Sequence, residues 1–166
     1  DPQRSAPVIH LTGTNGKTTV TQVVKHMAEE AGTSVRVAGN ISPAALTALM
    51  QALDENALPE LWVIELSSFQ LAHTFSLPVL AGAVLNISQD HLDWHGSMEA
   101  YVAAKQQLYR MSDIAIFNRD DPQTAALVPP SAARRSFGLE AVTRAEDLGV
   151  MEYQGQTWLA AGNEAL

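Results

Sequence analysis

The chain has 166 residues, 46% hydrophobic and 17% charged, which suits one globular domain with a buried core and excludes a disordered polymer. Its formal net charge of -8 lacks the basic surplus of nucleic-acid binders, so no nucleic-acid partner is expected; a nucleotide site stays open, because a few local donors can hold a phosphate. With no cysteine and no apolar run near the roughly 20 residues of a membrane span, disulfides and cysteine-ligated zinc are excluded, and a cytoplasmic protein without membrane insertion is expected.

Residues 1–7 read as a linker. Val8 to Leu11 is a short apolar strand, and Lys17 to Ala31 follows as a helix with Val20, Val23, Val24, Met27, Ala28 and Ala31 at helical spacing and Gly32 as its stop. Ser34 to Ala38 suits a second strand, and Pro43 to Leu53 a helix with Ser42 as N-cap and proline at its first position. Leu61 to Leu66 and Ala83 to Ile87 are buried strands, Ser97 caps a helix that runs through Arg110, and Ile114 to Phe117 is a further strand. Tyr101, Ala104, Leu108 and Met111 form the apolar face of the Ser97 helix, and Asp121 before Pro122 has the form of another helix start. Arg134 to Phe137, Val150 to Tyr153 and Thr157 to Ala160 are short and strand-like, with Gln154-Gly155 as a hairpin turn. The alternation predicts an α/β fold: a mainly parallel sheet flanked by helices, of P-loop type, with a small antiparallel addition near the C-terminus. No exposed apolar stripe is expected.

Five segments carry chemistry. Gly13-Thr14-Asn15-Gly16-Lys17-Thr18-Thr19 joins a strand to a helix, as a phosphate cradle requires. Glycine admits the backbone to the oxygens, Lys17 supplies a cation, and the Thr18 hydroxyl is placed to reach magnesium. The first glycine of the general motif is missing, its place taken by Leu11, so the loop is a short variant. Glu65 ends a central strand ahead of Leu66-Ser67-Ser68-Phe69-Gln70-Leu71, where ligands bind in open α/β sheets; it suits a magnesium ligand, a helix-capping acid or a salt-bridge partner. Asn86 to Gly96 holds Asp90, His91, Asp93 and His95, a set open to metal binding, to acid–base work, or to capping the Ser97 helix. Asn118-Arg119-Asp120-Asp121 ends another strand, as an ordinary turn or a functional one. Lys105 shares a helix face with Tyr101 and Leu108 and would by default be a solvated charge.

Together these segments resemble the Mur ligases and their folate-polyglutamate relatives. The short loop Gly13 to Thr19, Asp90-His91-Leu92-Asp93, the Tyr101…Lys105 helix and Asn118 to Asp121 all match that family, and Glu65 to Leu71 with Gly39-Asn40-Ile41 matches its D-glutamate-adding branch. Ser42 departs from a common glycine, and the hairpin with Gln156-Thr157-Trp158-Leu159 agrees.

The resemblance implies an ATP-dependent amide-bond ligase of peptidoglycan precursor synthesis, with ATP bound by Gly13, Thr14, Asn15, Gly16, Lys17, Thr18 and Thr19. Lys17 would hold the β- and γ-phosphates. Thr18 and Glu65 would hold one Mg2+, and His91 with a carbamylated Lys105 a second, making Lys17, His91 and Lys105 the catalytic set. Asn40 and Ser67 would place a UDP-linked muramoyl substrate, to which D-glutamate is joined. It also implies that residues 8–166 are a central ATP-binding domain whose last part, with its adenine contacts, follows Leu166. The UDP-binding N-terminal domain and the C-terminal domain of such an enzyme would lie outside this chain. Another Mur enzyme or a folylpolyglutamate ligase is the nearest alternative, and a P-loop NTPase or nucleotide switch is the alternative from another class.

Overall fold

The computed structural model describes residues 6–140, 142 and 144–166, so most of the expected linker, residues 1–5, lies outside the described residues. In chain order the elements are β1 (Val8–Thr12), α1 (Lys17–Glu30), β2 (Val35–Gly39), α2 (Ala45–Asp54), β3 (Leu61–Glu65), α3 (Ser68–Leu71), β4 (Val79–Val84), α4 (Leu92–His95), α5 (Met98–Arg110), β5 (Ser112–Asn118), α6 (Pro122–Ala126), β6 (Ala133–Phe137), β7 (Leu148–Tyr153), β8 (Gln156–Ala161) and β9 (Glu164–Ala165). Strands β1 to β6 form one sheet in the order β2-β3-β1-β4-β5-β6, and β7-β8-β9 form a second. Every pairing in the first sheet is parallel and every pairing in the second is antiparallel.

Alternation along the central strands sorts the core into two layers. Ile64, Leu66, Val84 and Ala115 face one side, where Ala48 of α2, Leu71 of α3, Tyr101 and Leu108 of α5 and Leu127 after α6 cover them. Leu11, Val63, Ala83 and Leu85 face the other side, where Val20 and Val24 of α1 pack. The crossover from β1 runs toward β2 and that from β4 toward β5, in opposite directions across the sheet, and the loops that carry the polar motifs leave from the C-terminal ends of the strands around that point.

The Ser97 helix matches its expected form: Ser97 Oγ accepts from Ala100 N–H, and Tyr101, Ala104 and Leu108 are buried. Asp121 caps α6 by accepting from Gln123 N–H, with proline at the helix start. The Gln154-Gly155 turn forms with both residues at positive φ, 53° and 75°, the twist a two-residue hairpin prefers.

Five expectations are corrected. Arg134 to Phe137 is no part of the antiparallel addition: β6 pairs parallel with β5, because α6 carries the chain over the sheet between them. Helix α2 starts at Ala45 without a side-chain cap, since the Pro43 carbonyl is committed backwards to Gly39 N–H and Ser42 stays in the loop. The fourth strand is Val79–Val84, so Asn86 and Ile87 belong to the loop beyond it. Exposed apolar side chains do line one helix: Leu46, Met50 and Leu53 stand out from α2, while Ala48 and Ala52 make its buried face. On α1, similarly, Val23 and Met27 are exposed and Thr21 is buried, so the inner face is turned from the one its apolar spacing suggests. No helix among the described residues is long and apolar enough to cross a membrane.

Candidate active site

The site begins with the turn between β1 and α1. Gly16 caps α1 in the left-handed region, φ 78°, and brings no side chain to the helix start. The N–H groups of Lys17, Thr18 and Thr19, which precede the bond from Val20 N–H to Gly16 O, therefore have no acceptor among the described residues. They point where an anion would be held, together with the positive end of the helix dipole. The N–H groups of Thr14 and Asn15 are already bonded, to Asn86 O at 3.0 Å and Asn86 Oδ1 at 2.9 Å, so the cradle expected over residues 13–19 narrows to its helical half.

Two lysines meet at one carbonyl. Lys17 Nζ donates to Gly13 O at 2.9 Å and to Thr14 O at 3.0 Å. Lys105 reaches the same Gly13 O at 2.9 Å from α5 and is 1% exposed. Burial, then the nearby Lys17 charge, pulls the Lys105 ammonium down to about 7, with Asp90 opposing. Its Nζ also sits 4.7 Å from the centre of the Tyr101 ring. The default expectation of a solvated helix charge is thus overturned.

Glu65 closes the other flank. Its strand is paired on both sides, to Gly39 of β2 and Leu11 of β1, so the side chain leaves the sheet fully buried. Oε2 accepts from Thr18 Oγ1 at 2.8 Å, and Oε1 accepts from Asn40 Nδ2 at 2.8 Å. Both donors are neutral, and Glu65 forms no ion pair among the described residues. Asn40 is brought there by Gly39: at φ 114° a Cβ would lie 2.1 Å from Glu65 O, so only glycine lets Asn40 N–H bond that carbonyl at 2.8 Å.

Ser67 has a structural task as well. It caps α3, accepting from Gln70 N–H at 3.2 Å while its own hydroxyl and N–H donate to Gln70 Oε1 at 3.1 and 2.9 Å. Phe69, one position into α3, packs on His91 with ring centres 4.8 Å apart, and on Trp94 and His95. His91 caps α4 in the left-handed region, φ 51°, a sparsely populated conformation for a histidine, with Nε2 3.3 Å from Asp90 Oδ2. His95 Nε2 lies 2.9 Å from Ser68 Oγ, and its pKa is lowered by burial first and then by the charges of His91 and Lys105.

These groups line one cleft of about 100 Å³, formed by Gly13, Thr14, Lys17, Asn40, Ser67, Ser68, Phe69, Asp90, His91, Tyr101 and Lys105. Lys17, His91, Lys105, Asn40 and Ser67 therefore converge as expected, and Thr18 and Glu65 adjoin through their hydrogen bond. Asn15 and Thr19 are exposed, and the Asn15 peptide faces Asn86. Asn118 and Asp121 brace the cleft from below, through Asn118 Nδ2 to Leu85 O and Ile87 N–H to Asp121 Oδ2. Sequence reasoning missed Tyr101 as a polar group. Its hydroxyl lies 2.9 Å from Thr14 Oγ1, and its only sequence signal was a phenol placed on an otherwise apolar helix face.

The sequence matches the Mur ligase middle domain over residues 11–157. It is 54% identical over 156 residues to the UDP-N-acetylmuramoylalanine--D-glutamate ligase of Bordetella avium, covering 93% of this chain and 31% of that protein. It is 47% identical to the ligase of the same name from Albidiferax ferrireducens, covering 95% of this chain and 33% of that protein. The chain thus spans about a third of the length of the relatives it matches. Among solved structures, the MurF ligase from Thermotoga maritima in complex with ADP aligns with a TM-score of 0.69 at 25% identity, over 95% of this chain and 38% of that one. E. coli FolC in complex with DHPP and ADP shares the fold, with a TM-score of 0.65 at 18% identity over 97% of this chain and 48% of that one. A match across most of the chain, over a span that contains the cleft, makes this protein a member of the Mur ligase middle-domain family.

Proposed function

We propose that this chain is the central, nucleotide-handling part of an ATP-dependent ligase that joins D-glutamate to UDP-N-acetylmuramoyl-L-alanine in peptidoglycan precursor synthesis, releasing ADP. Residues 8–166 belong to that central domain, and the UDP-gripping and amino-acid-delivering domains lie elsewhere in the full enzyme, which works in the cytoplasm. Relatives of this name at 47% to 54% identity support the reading, as do family neighbours solved with ADP. The observation that carries it is the meeting of Lys17 and Lys105 on the Gly13 carbonyl, beside the Thr18–Glu65 pair. A nucleotide switch has use for the loop and its threonine, but no task for a buried lysine arriving from another helix.

ATP is met by the helix N–H groups of Lys17 to Thr19, and the Lys17 ammonium neutralises its terminal phosphates. Magnesium fits the donors present: Glu65 is a buried carboxylate with only neutral partners, next to a hydroxyl, and such hard oxygens plus phosphate and water are what this ion takes. Thr18 and Glu65 would hold one ion, and His91 with the Lys105 carbamate a second. When bound, the ions supply neutralisation of the charge that builds on the phosphoryl oxygens. Lys105 suits carbamylation because an amine pulled down to about 7 is substantially neutral at physiological pH. A neutral amine adds to carbon dioxide, loses a proton and becomes an anion with two oxygens.

Asn40 and Ser67 orient the muramoyl substrate so that its carboxylate oxygen meets the γ-phosphorus. That P–O bond forms as the bond to ADP breaks, giving an acyl phosphate. The amine of D-glutamate then attacks the acyl carbon, the amide forms with loss of a proton, and phosphate leaves. Positioning and charge neutralisation provide most of the acceleration in such transfers.

The test is ADP release by the full-length protein with UDP-N-acetylmuramoyl-L-alanine and a panel of amino acids. D-glutamate is expected to support turnover, with lysine and diaminopimelate inactive and folate inactive as the acceptor; the 166-residue chain alone is expected to incorporate no D-glutamate. ADP release at the same rate without any carboxylate acceptor would overturn the reading.

A further inference from the structure

We propose that Asn86 is a positioning residue for nucleotide binding, a two-point clamp that sets the shape of the phosphate loop; this rests on the nucleotide-site reading above. Within the motif, Lys17 Nζ ties the Gly13 and Thr14 carbonyls, and the Asn15 peptide is held from outside. The position of the missing first glycine is Leu11, which is inside β1, so only Gly13 to Gly16 separate strand from helix. The helix cap, Gly16, has no side chain to bond the helix start. Left to itself, a turn containing two glycines would sample many backbone states.

Asn86 supplies what the loop lacks. Its Oδ1 accepts from Asn15 N–H at 2.9 Å, and its Nδ2 donates to Asn15 O at 3.0 Å. Its own carbonyl accepts from Thr14 N–H at 3.0 Å. One residue thus holds three peptide groups of the loop. The arrangement continues the β1–β4 pairing: the backbone bond from Leu85 N–H to Thr12 O at 2.9 Å is followed by that from Thr14 N–H to Asn86 O at 3.0 Å, and beyond them the Asn86 side chain takes over at Asn15. Both partners of the amide belong to Asn15, one a donor and one an acceptor, so the orientation of the Asn86 side chain is fixed by chemistry.

A second set of bonds secures the neighbouring residue. Ser88 N–H donates to Thr14 Oγ1 at 2.9 Å, Thr14 Oγ1 donates to Ser88 O at 3.2 Å, and the Tyr101 hydroxyl then completes the threonine as donor at 2.9 Å. Turning the Thr14 and Asn15 peptides toward β4 leaves the N–H groups of Lys17 to Thr19 facing the anion, and sets the Gly13 carbonyl between the two lysines. The short loop therefore takes its shape from the segment after β4, and only a short amide can bond both sides of the Asn15 peptide. Aspartate keeps the acceptor but faces the Asn15 carbonyl with a second oxygen.

The experiment measures ATP binding by calorimetry in the full-length protein and in its Asn86→Ala and Asn86→Asp variants, with binding of the muramoyl substrate and the nucleotide-free unfolding midpoint measured alongside. Asn86→Ala is expected to weaken ATP binding about tenfold, the scale of one to two net hydrogen bonds, and Asn86→Asp more, since it adds a carboxylate beside the anion site. Muramoyl-substrate affinity and the unfolding midpoint should hold near the parent's. ATP affinity of Asn86→Ala within twofold of the parent overturns the clamp while leaving the ligase reading intact. A joint fall of both affinities and the midpoint also overturns it, by showing a general structural role. A parent protein that binds no ATP sinks the ligase reading and the clamp together.

Discussion

At the C-terminal ends of β1, β3 and β4, polar side chains from separate strands bond one another: Glu65 holds Thr18 and Asn40, Asn86 holds Asn15, and Lys105 reaches across from α5 to Gly13. The β7–β8–β9 sheet is built differently. Trp158 and Leu159, adjacent and therefore on opposite faces, are both exposed, and the attachment to the parallel sheet runs largely through one guanidinium. Arg119 donates from Nη1 to Ser136 Oγ at 2.7 Å and Leu148 O at 2.9 Å, and from Nη2 to Glu140 O at 3.1 Å. Asp147 adds one bond, accepting from Ser136 N–H at 2.7 Å. In the first region each side chain is shared among elements, so a substitution there is felt by the whole cleft. In the second, the sheet hangs on a few named bonds and should loosen without disturbing the cleft.

The largest expected effect is in the shared region. Lys105→Arg keeps a positive charge but removes the amine that can take up carbon dioxide, and acceptor-dependent ADP release by the full-length protein should fall by about two orders of magnitude or more. The parent should show a pH signature of the same residue. Because the amine is pulled down to about 7, it is protonated below that pH and cannot form the carbamate. In carbon-dioxide-depleted buffer the initial rate should therefore drop as pH falls below about 7, and added bicarbonate should restore most of it. An arginine variant within a few-fold of the parent would mean that Lys105 acts as a structural cation.

A smaller and local effect is expected from Arg119→Met. Losing its bonds to Ser136, Leu148 and Glu140 should free the antiparallel sheet by about 2 kcal/mol, seen as amide exchange about 30-fold faster in β7 and β8. ATP affinity should stay within twofold. Faster exchange that spread to β1 and β4, or a matching loss of ATP binding, would show that the two regions are coupled after all.

The contrast also explains what could be read from the sequence. The parallel sheet was legible because buried strands carry unbroken apolar runs, as in Leu61 to Ile64. The site was legible where a motif implies a geometry, as Gly13 to Thr18 does, or where a family pattern singles out a residue, as it does Lys105. Arg134 to Phe137 was misjudged because Arg-Arg-Ser looks like an exposed antiparallel edge; only the α6 crossover shows that it ends the parallel sheet. The short helices α3 and α4 were missed because four residues are too few for a periodicity, and the exposed side of α2 because it bears larger and more numerous apolar residues than its inner side, Leu46, Leu49, Met50 and Leu53 against Ala48 and Ala52. The Asn86 clamp pairs residues 71 positions apart, a contact that no local pattern encodes.

His10 sharpens the comparison at the smallest scale, because it sits on the same strand as the cleft and yet is not shared. It is fully buried on β1, and neither ring nitrogen has a hydrogen-bond partner among the described residues. Burial pulls its pKa from 6.5 to about 4, so the native ring is neutral through the mildly acidic range. Between pH 6.5 and about 4 the unfolded chain binds a proton at this residue that the native chain does not. Its contribution is thus in place above pH 6.5 and is lost as pH falls toward 4. His10→Val removes two unpaired nitrogens and puts a β-branched residue into a buried parallel strand, which should stabilise by about 1–3 kcal/mol at pH 7. It should also flatten the decline in stability between pH 6.5 and 4. Denaturant unfolding at pH 7 and pH 5 measures both effects. A variant less stable at pH 7 would show that the imidazole has a partner in solution, and an unchanged pH slope would show that the acid limb of the stability curve belongs to other groups.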